Sequence, residues 1–211
     1  MKNNQSQYQK KLKRTIDIVF STFVLILGLP LFILIALLIK VGSKGTVFYI
    51  QERVGQNYSR FGCIKFRTMF EEADDLLPNI LDAYPAMKEE FENNFKIRKD
   101  PRITPIGHFL RRSSLDEIPQ FLNILLGEMS IVGPRPIVEK EISRYGECMD
   151  EVLSVRPGLT GLWQVSGRNN LSYEKRVELD LLYIRKYSYL LDLKIIFRTF
   201  GVLLLPMDRG A

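Results

Sequence analysis

From Ile18 to Ile39 the chain reads IVFSTFVLILGLPLFILIALLI, without one charged side chain. As a helix this run is about 33 Å long, enough for a hydrocarbon core of about 30 Å. A secretory signal peptide has a shorter apolar core and a small-residue cleavage site, and a buried soluble helix of this length carries a polar stripe. The pattern therefore predicts a membrane-embedded helix. Lys10, Lys11, Lys13 and Arg14 precede it, and Lys40 and Lys44 follow it. Basic residues favour the cytoplasmic side, so both ends have reason to stay there. Pro30 removes an interior helix hydrogen bond and bends the rod, leaving halves of roughly 15–18 Å, each too short to span. A re-entrant helix–break–helix meets both observations. A kinked span is the alternative, because membrane helices tolerate proline.

Beyond the apolar run the periods change. Residues 46–51 (TVFYIQ) and 61–69 (FGCIKFRTM) read as strands of a hairpin, with Lys65 and Arg67 on one face and Ile64 and Phe66 on the other. Residues 71–98 are acidic and helical in pattern, punctuated by Pro78 and Pro85, and read as a surface excursion. DPRITPIGHFLRRSS carries turn chemistry and then a short helix. The tail from Tyr173 holds two helical patterns. In the second, Lys194 and Arg198 interrupt Leu190, Leu191, Leu193, Ile195, Ile196, Phe197 and Phe200, which suits a helix in the headgroup layer or one packed on the core.

Composition narrows the chemistry. Hydrophobic residues make up 46% of the 211 and charged ones 26%, a globular balance, and a net charge of +6 points to an acidic partner: nucleic acid, anionic lipid or a phosphorylated substrate. Two distant cysteines, Cys63 and Cys148, fit a reducing compartment and no metal-ligand spacing. A single histidine, His108, argues against a His-centred triad or a histidine metal site. Chemistry falls to Asp, Glu, Lys and Arg.

The stretch RRSSLDEIPQ concentrates them. Ser113 with Asp116, or Ser114 with Glu117, fits a helix-capping pattern, and Arg112 with Asp116 fits an i,i+4 pair. The adjacent acids also suit a division of labour, one attacking phosphorus while the other holds a hard cation such as Mg²⁺. A helix N-terminus would keep the attacking carboxylate ionised, so capping and catalysis are compatible. In SIVGPRP, two prolines hold Arg135 at low entropic cost, as phosphate recognition requires, or make a rigid turn whose arginine faces water. In VRPGLTGLWQVSGRNN, glycine-rich backbone suits an anion, with Arg156 and Arg168 nearby, and Trp163 reads as a core residue or a stacking platform.

The segments KRTIDIVFS, KFRTM, RRSSLDEIPQFLNILLGEMSIVGPRP, VRPGLTGLWQVSGRN and ELDLLYIRKYSYLLDLKII together resemble the bacterial sugar transferases, monotopic polyprenol-phosphate phosphoglycosyltransferases, from about Lys11 to Leu205. The likeness is to the minimal form, without the N-terminal transmembrane region of larger relatives. It implies an α/β fold, mainly helical with a small β-hairpin. Residues 1–44 would form a basic N-terminus and re-entrant helix broken at Pro30, and 45–211 a catalytic domain with amphipathic interfacial helices. The implied reaction takes a sugar 1-phosphate from a UDP-sugar to undecaprenyl phosphate. Asp116 would be the nucleophile, Glu117 the acid that binds Mg²⁺, and Lys65, Arg111, Arg135 and Arg168 the phosphate and nucleotide ligands. The resemblance places the enzyme at the cytoplasmic face of a bacterial inner membrane, with no nucleic-acid partner and with homo-oligomerisation left open. One departure concerns the break, where relatives often carry Ser-Pro and this chain has Leu29 before Pro30. Two rival readings differ in their products. A simple glycosyltransferase would release UDP, and a non-enzymatic basic module would show only diffuse charge dependence.

Overall fold

The computed structural model of the chain describes residues 2–94, 97–167 and 170–204. In order, these form α1 (Lys2–Gly42), β1 (Phe48–Val54), β2 (Arg60–Phe66), α2 (Ala73–Ala83), α3 (Pro85–Asn94), α4 (Pro105–Ser113), α5 (Gln120–Leu126), β3 (Ser130–Val132), α6 (Ile142–Tyr145), α7 (Met149–Val152), β4 (Gly158–Thr160), α8 (Tyr173–Arg185) and α9 (Tyr189–Leu204). The fold is mainly helical, with β1 and β2 as one two-stranded sheet and β3 and β4 as another.

Helix α1 carries the whole apolar run with Pro30 inside it, and no unwound break interrupts it. A proline costs one hydrogen bond and a clash with the preceding turn, which a helix can absorb as a bend. Among the described residues it is the one helix long and apolar enough to cross a membrane. Asp17, Ser21, Ile35 and Ile39 are buried, whereas Phe23, Ile26, Leu27, Leu29, Ile33 and Leu34 between them are exposed. A bare apolar stretch of this kind marks a surface made for lipid or a partner.

The chain forms two compact units that interleave in sequence, and the boundary within α1 falls between Leu29 and Pro30. The first contains the chain up to Leu29, Ile50–Ile64 and the chain from Pro119 onward. Its core gathers Val54, Ile137, Tyr145, Met149, Val152 and Val177. The first half of α1 docks here through polar contacts. Lys13 pairs with Asp192 at 2.6 Å, and Arg14 donates to the carbonyls of Ile124 and Leu125 at the end of α5. Such carbonyls lack intrahelical partners, so a guanidinium is a natural cap. Asp17 Oδ1 accepts from Ser130 Oγ at 3.1 Å and from the Ile131 amide at 3.0 Å.

Strands β3 and β4 are parallel, Ser130 opposite Gly158 and Val132 opposite Thr160. Three-residue strands so far apart in sequence leave no periodic signal, and this pair was not anticipated. Of the glycines read as an anion cradle, Gly158 serves it instead, with Gly133 opposite. A Cβ on Gly133 would lie 2.6 Å from the Arg156 carbonyl oxygen, and one on Gly158 would lie 2.1 Å from the Gly133 amide.

The second unit contains Pro30–Tyr49 and Lys65–Ile118. Ile35 and Ile39, from the second half of α1, form its core with Phe66 and Leu110, joined by Phe32, Val47, Ile106 and Leu115. Arg67 is buried and donates to Ser43 Oγ at 3.0 Å and to the carbonyls of Ser43 and Lys44, closing the end of α1. Arg67 lies beyond the end of β2 and is buried. The acidic excursion folds as α2 and α3, with Pro78 inside α2 and Pro85 opening α3. Arg102 grips Asp100 through Nε (2.9 Å) and Nη2 (2.7 Å), both residues buried.

Candidate active site

Helix α4 starts at Pro105, capped by Thr104, whose Oγ1 accepts from the Gly107 amide at 3.0 Å. Gly107 packs on the backbone of Thr68 so closely that a Cβ would lie 1.9 Å from the Thr68 carbonyl oxygen. One turn later Arg111 Nε donates to Thr68 Oγ1 at 2.9 Å. The chain then turns at Ser114, whose φ of 58° and ψ of 19° are left-handed, a conformation uncommon outside glycine. Leu115–Glu117 follow as a 3-10 turn, anchored by Leu115 against the Phe66 and Leu110 core.

The acid pair therefore does not open a regular helix. Helix α5 begins only at Gln120, after Pro119. Ser113 Oγ bonds back to the carbonyls of Phe109 and Leu110, and Ser114 makes no side-chain cap, so the expected capping box is not formed. Because α4 ends at Ser113, Arg112 and Asp116 are not an i,i+4 pair on one helix.

Four predicted residues meet in this unit. Lys65 Nζ, from the end of β2, lies 2.6 Å from Glu117 Oε1, with Asp116 next in sequence and Arg111 close enough to act on its charge. Burial, then the neighbouring Glu117 charge, pushes the Asp116 carboxyl up to about 6, while Lys65 and Arg111 pull it back. This reverses the expectation that a helix N-terminus holds that acid strongly ionised. An acid near 6 is still mostly anionic at neutral pH and is a better electron-pair donor than an ordinary aspartate. Burial lowers the pKa of Arg111, and Asp116 and Asp100 act against that. Arginine remains charged regardless.

The donor set can be tested against a hard cation. Among the described residues no group of three or more His, Cys, Asp or Glu side chains gathers to hold a metal. Two adjacent carboxylates, one half-exposed, fit Mg²⁺, which keeps waters and takes one or two carboxylates together with substrate phosphate.

The other predicted residues lie elsewhere. Arg135 belongs to the first unit, where its guanidinium lies over the Trp163 ring at 5.9 Å from the centroid. Trp163 is buried, as a core reading implies. Arg168 falls outside the described residues. Pro30 is exposed within α1. Thr68 and Asp17 went unnoticed in the sequence. Asp17 had a signal, a lone acid at the mouth of an apolar run, whereas Thr68 had none, since its role depends on the approach of Gly107.

The chain thus combines a largely exposed apolar helix, long enough to cross a membrane, with a cluster of two carboxylates and two cations. The family model for bacterial sugar transferases matches residues 8–206, and the chain belongs to that family of enzymes. It is 47% identical to an exopolysaccharide production protein, ExoY, of Sinorhizobium fredii, over 94% of this chain and 87% of that one. It is 44% identical to the undecaprenyl-phosphate galactose phosphotransferase of Salmonella typhimurium, over 97% of this chain and 43% of that one. With the UDP-glucose:undecaprenyl-phosphate glucose-1-phosphate transferase of Escherichia coli it shares 38% identity, over 92% of this chain and 40% of that one. The chain thus spans less than half the length of the two relatives named as phosphate transferases.

Proposed function

We propose that this chain transfers a sugar 1-phosphate from a UDP-sugar to undecaprenyl phosphate. The observation that carries the reading is Asp116, a carboxylate with raised basicity flanked by Glu117, Lys65 and Arg111. A carboxylate oxygen of Asp116 attacks the sugar-bearing phosphorus. The bond from that phosphorus to the bridging oxygen breaks, and UMP leaves with the electron pair. A phosphate oxygen of the polyprenyl carrier then attacks the same phosphorus, the bond to Asp116 breaks, and the carboxylate is restored. Lys65 and Arg111 neutralise charge on the transferring group, an effect that grows as water is excluded. Arg135 and Arg168 are assigned to the nucleotide and its phosphates. Mg²⁺, held by Glu117, would supply further charge neutralisation on the diphosphate. Relatives are named for both galactose and glucose, so the donor is assigned only as a UDP-hexose.

We place the enzyme at the cytoplasmic face of a bacterial inner membrane, on a re-entrant α1, with residues 45–211 on that face. Support comes from connectivity. Asp17, before the apolar run, bonds to Ser130 and Ile131. Between Gly42 and Ser130 no described helix is long and apolar enough to cross back. On this reading both ends of α1 lie on one side. Labelling single cysteines introduced at Lys10 and Lys44 with a membrane-impermeant thiol reagent should modify neither in intact cells and both in inverted vesicles. Modification of one from each side would mean a simple span.

The function is tested by supplying the protein with UDP-sugars, Mg²⁺ and undecaprenyl phosphate and identifying the nucleotide released. UMP is expected, lost in Asp116→Asn by at least a thousandfold while the thermal transition is retained. Glu117→Gln should raise the Mg²⁺ needed for half-maximal rate. Release of UDP would replace the proposal with simple glycosyl transfer.

A further inference from the structure

The second unit fastens one edge of the Arg111 guanidinium and leaves the other open. Arg111 is half-buried, and its Nε donates to Thr68 Oγ1 at 2.9 Å. That is the one hydrogen bond of its side chain among the described residues, so Nη1 and Nη2 have no acceptor there. The two acids whose charges act on Arg111 do not close this fork. Asp100 is engaged by Arg102, accepting from its Nε (2.9 Å), its Nη2 (2.7 Å) and its amide (3.0 Å). Asp116 acts through its charge and makes no hydrogen bond to Arg111. A guanidinium held by Nε presents its Nη groups side by side, a geometry that matches two oxygens of one phosphate.

Thr68 is itself tightly held. It is 7% exposed, and its branched side chain has few rotamers open to it. Its carbonyl accepts from the Thr104 amide at 3.0 Å and from Thr104 Oγ1 at 3.3 Å. Met69 pairs with Ile103 in an antiparallel bridge, and the Phe70 amide donates to the Arg102 carbonyl at 3.0 Å. Gly107, by having no Cβ, lets α4 rest on the Thr68 carbonyl one turn before Arg111. Three residues ahead of Thr68, Lys65 meets Glu117 at 2.6 Å. One short stretch of chain thus sets both cations of the acid-pair site.

We infer that Thr68 is a positioning residue for the transfer: its hydroxyl holds Arg111 by Nε and turns the Nη edge toward the transferring phosphate. Thr68 acts through Arg111 alone. The inference rests on the sugar-phosphate transfer proposed for the acid pair, and its test separates the two claims.

Thr68→Val keeps the shape of the side chain and removes the acceptor, whereas Thr68→Ser keeps the acceptor. Full-length protein in detergent micelles is assayed with UDP-sugar, Mg²⁺ and undecaprenyl phosphate. Thr68→Val should lower kcat at least tenfold with KM for the UDP-sugar within about threefold of the parent, the pattern of an interaction made in the transition state. Thr68→Ser should stay within about threefold on both. Arg111→Lys has no Nε–H to fasten, so adding Thr68→Val to it should change kcat less than about twofold, a loss of additivity that marks residues acting as one unit. If a melt shows that Thr68→Val does not fold, Thr68→Ala takes its place in both backgrounds. An unchanged kcat in Thr68→Val would overturn the inference, as would an equal loss in both backgrounds, a Thr68→Ser protein as slow as Thr68→Val, or a change confined to KM. In each of those cases UMP release that still depended on Asp116 would leave the proposed function standing. Release of UDP, with the effect of Thr68 still confined to protein that retains Arg111, would do the reverse.

Discussion

Replacing Asp17 by alanine tests how the first half of α1 is held. Its carboxylate is 2% exposed, and Oδ1 accepts from Ser130 Oγ and the Ile131 amide. Hydrogen bonds to a charged group contribute about 1.5–3 kcal/mol each, and their loss leaves a buried amide unpaired. Against this, Oδ2 has no partner among the described residues, and removing that buried acceptor returns about 1–3 kcal/mol. The net loss for Asp17→Ala is about 3 kcal/mol. For a chain of this size that is a fall of roughly 6–12 °C in melting temperature. Asp17→Asn keeps the Oδ1 acceptor but makes neutral bonds of about 0.5–1.5 kcal/mol each, so it should lose roughly half as much. The assay is a far-UV circular dichroism melt of the three proteins in the same micelles at one scan rate. An Asp17→Ala protein melting within about 1 °C of the parent would refute the reasoning, since the contacts at Ser130 and Ile131 would then contribute nothing net.

Three further outcomes follow from buried contacts. Arg102→Met strips Asp100 of a buried partner and should cost about 3–5 kcal/mol, read by the same melt. Burial raises the Asp100 carboxyl, but the hydrogen bonds and charge of Arg102 outweigh it and hold the group below its ordinary range. The ionised form is thus favoured on folding. That stability is present above the unfolded value of about 3.9 and is lost as pH falls below it through the folded value. Asp100→Asn should flatten this acid limb, and an unchanged limb would remove Asp100 from the account. Gly133→Ala would drive a Cβ into the Arg156 carbonyl oxygen and the Gly158 amide at 2.6 and 2.8 Å. Backbone atoms yield less readily than side chains, so a loss of about 1–3 kcal/mol is expected, and a normal melting temperature would contradict the register given for β3 and β4.

What the sequence disclosed depended on how local each cause was. Helix α4 was legible because Thr104 and Pro105 are a cap and a first-turn residue in adjacent positions, and the break between α2 and α3 because Pro85 marks it. The acid pair stood out as adjacent carboxylates in a basic stretch, and Lys65 and Arg111, expected as phosphate ligands, lie beside it in the second unit. The backbone of the pair was not legible, because a left-handed Ser114 leaves no mark in composition and a 3-10 turn looks like the start of α5. Gly158, read as part of an anion cradle, was misread for a related reason. Contact between two backbones and approach of a backbone to an anion both demand a missing Cβ, and only the tertiary partner distinguishes them.

The core of the second unit has a practical consequence. Ile35 and Ile39 are supplied by the apolar helix itself and are buried with Phe66 and Leu110. Cutting the chain after Lys44 to obtain a water-soluble catalytic fragment would strip two of the four side chains buried at that centre and uncover Phe66 beneath the acid-pair turn. The exposed apolar face and the interior of this unit belong to one helix, so truncation cannot remove the first and leave the second intact beneath the acid-pair turn.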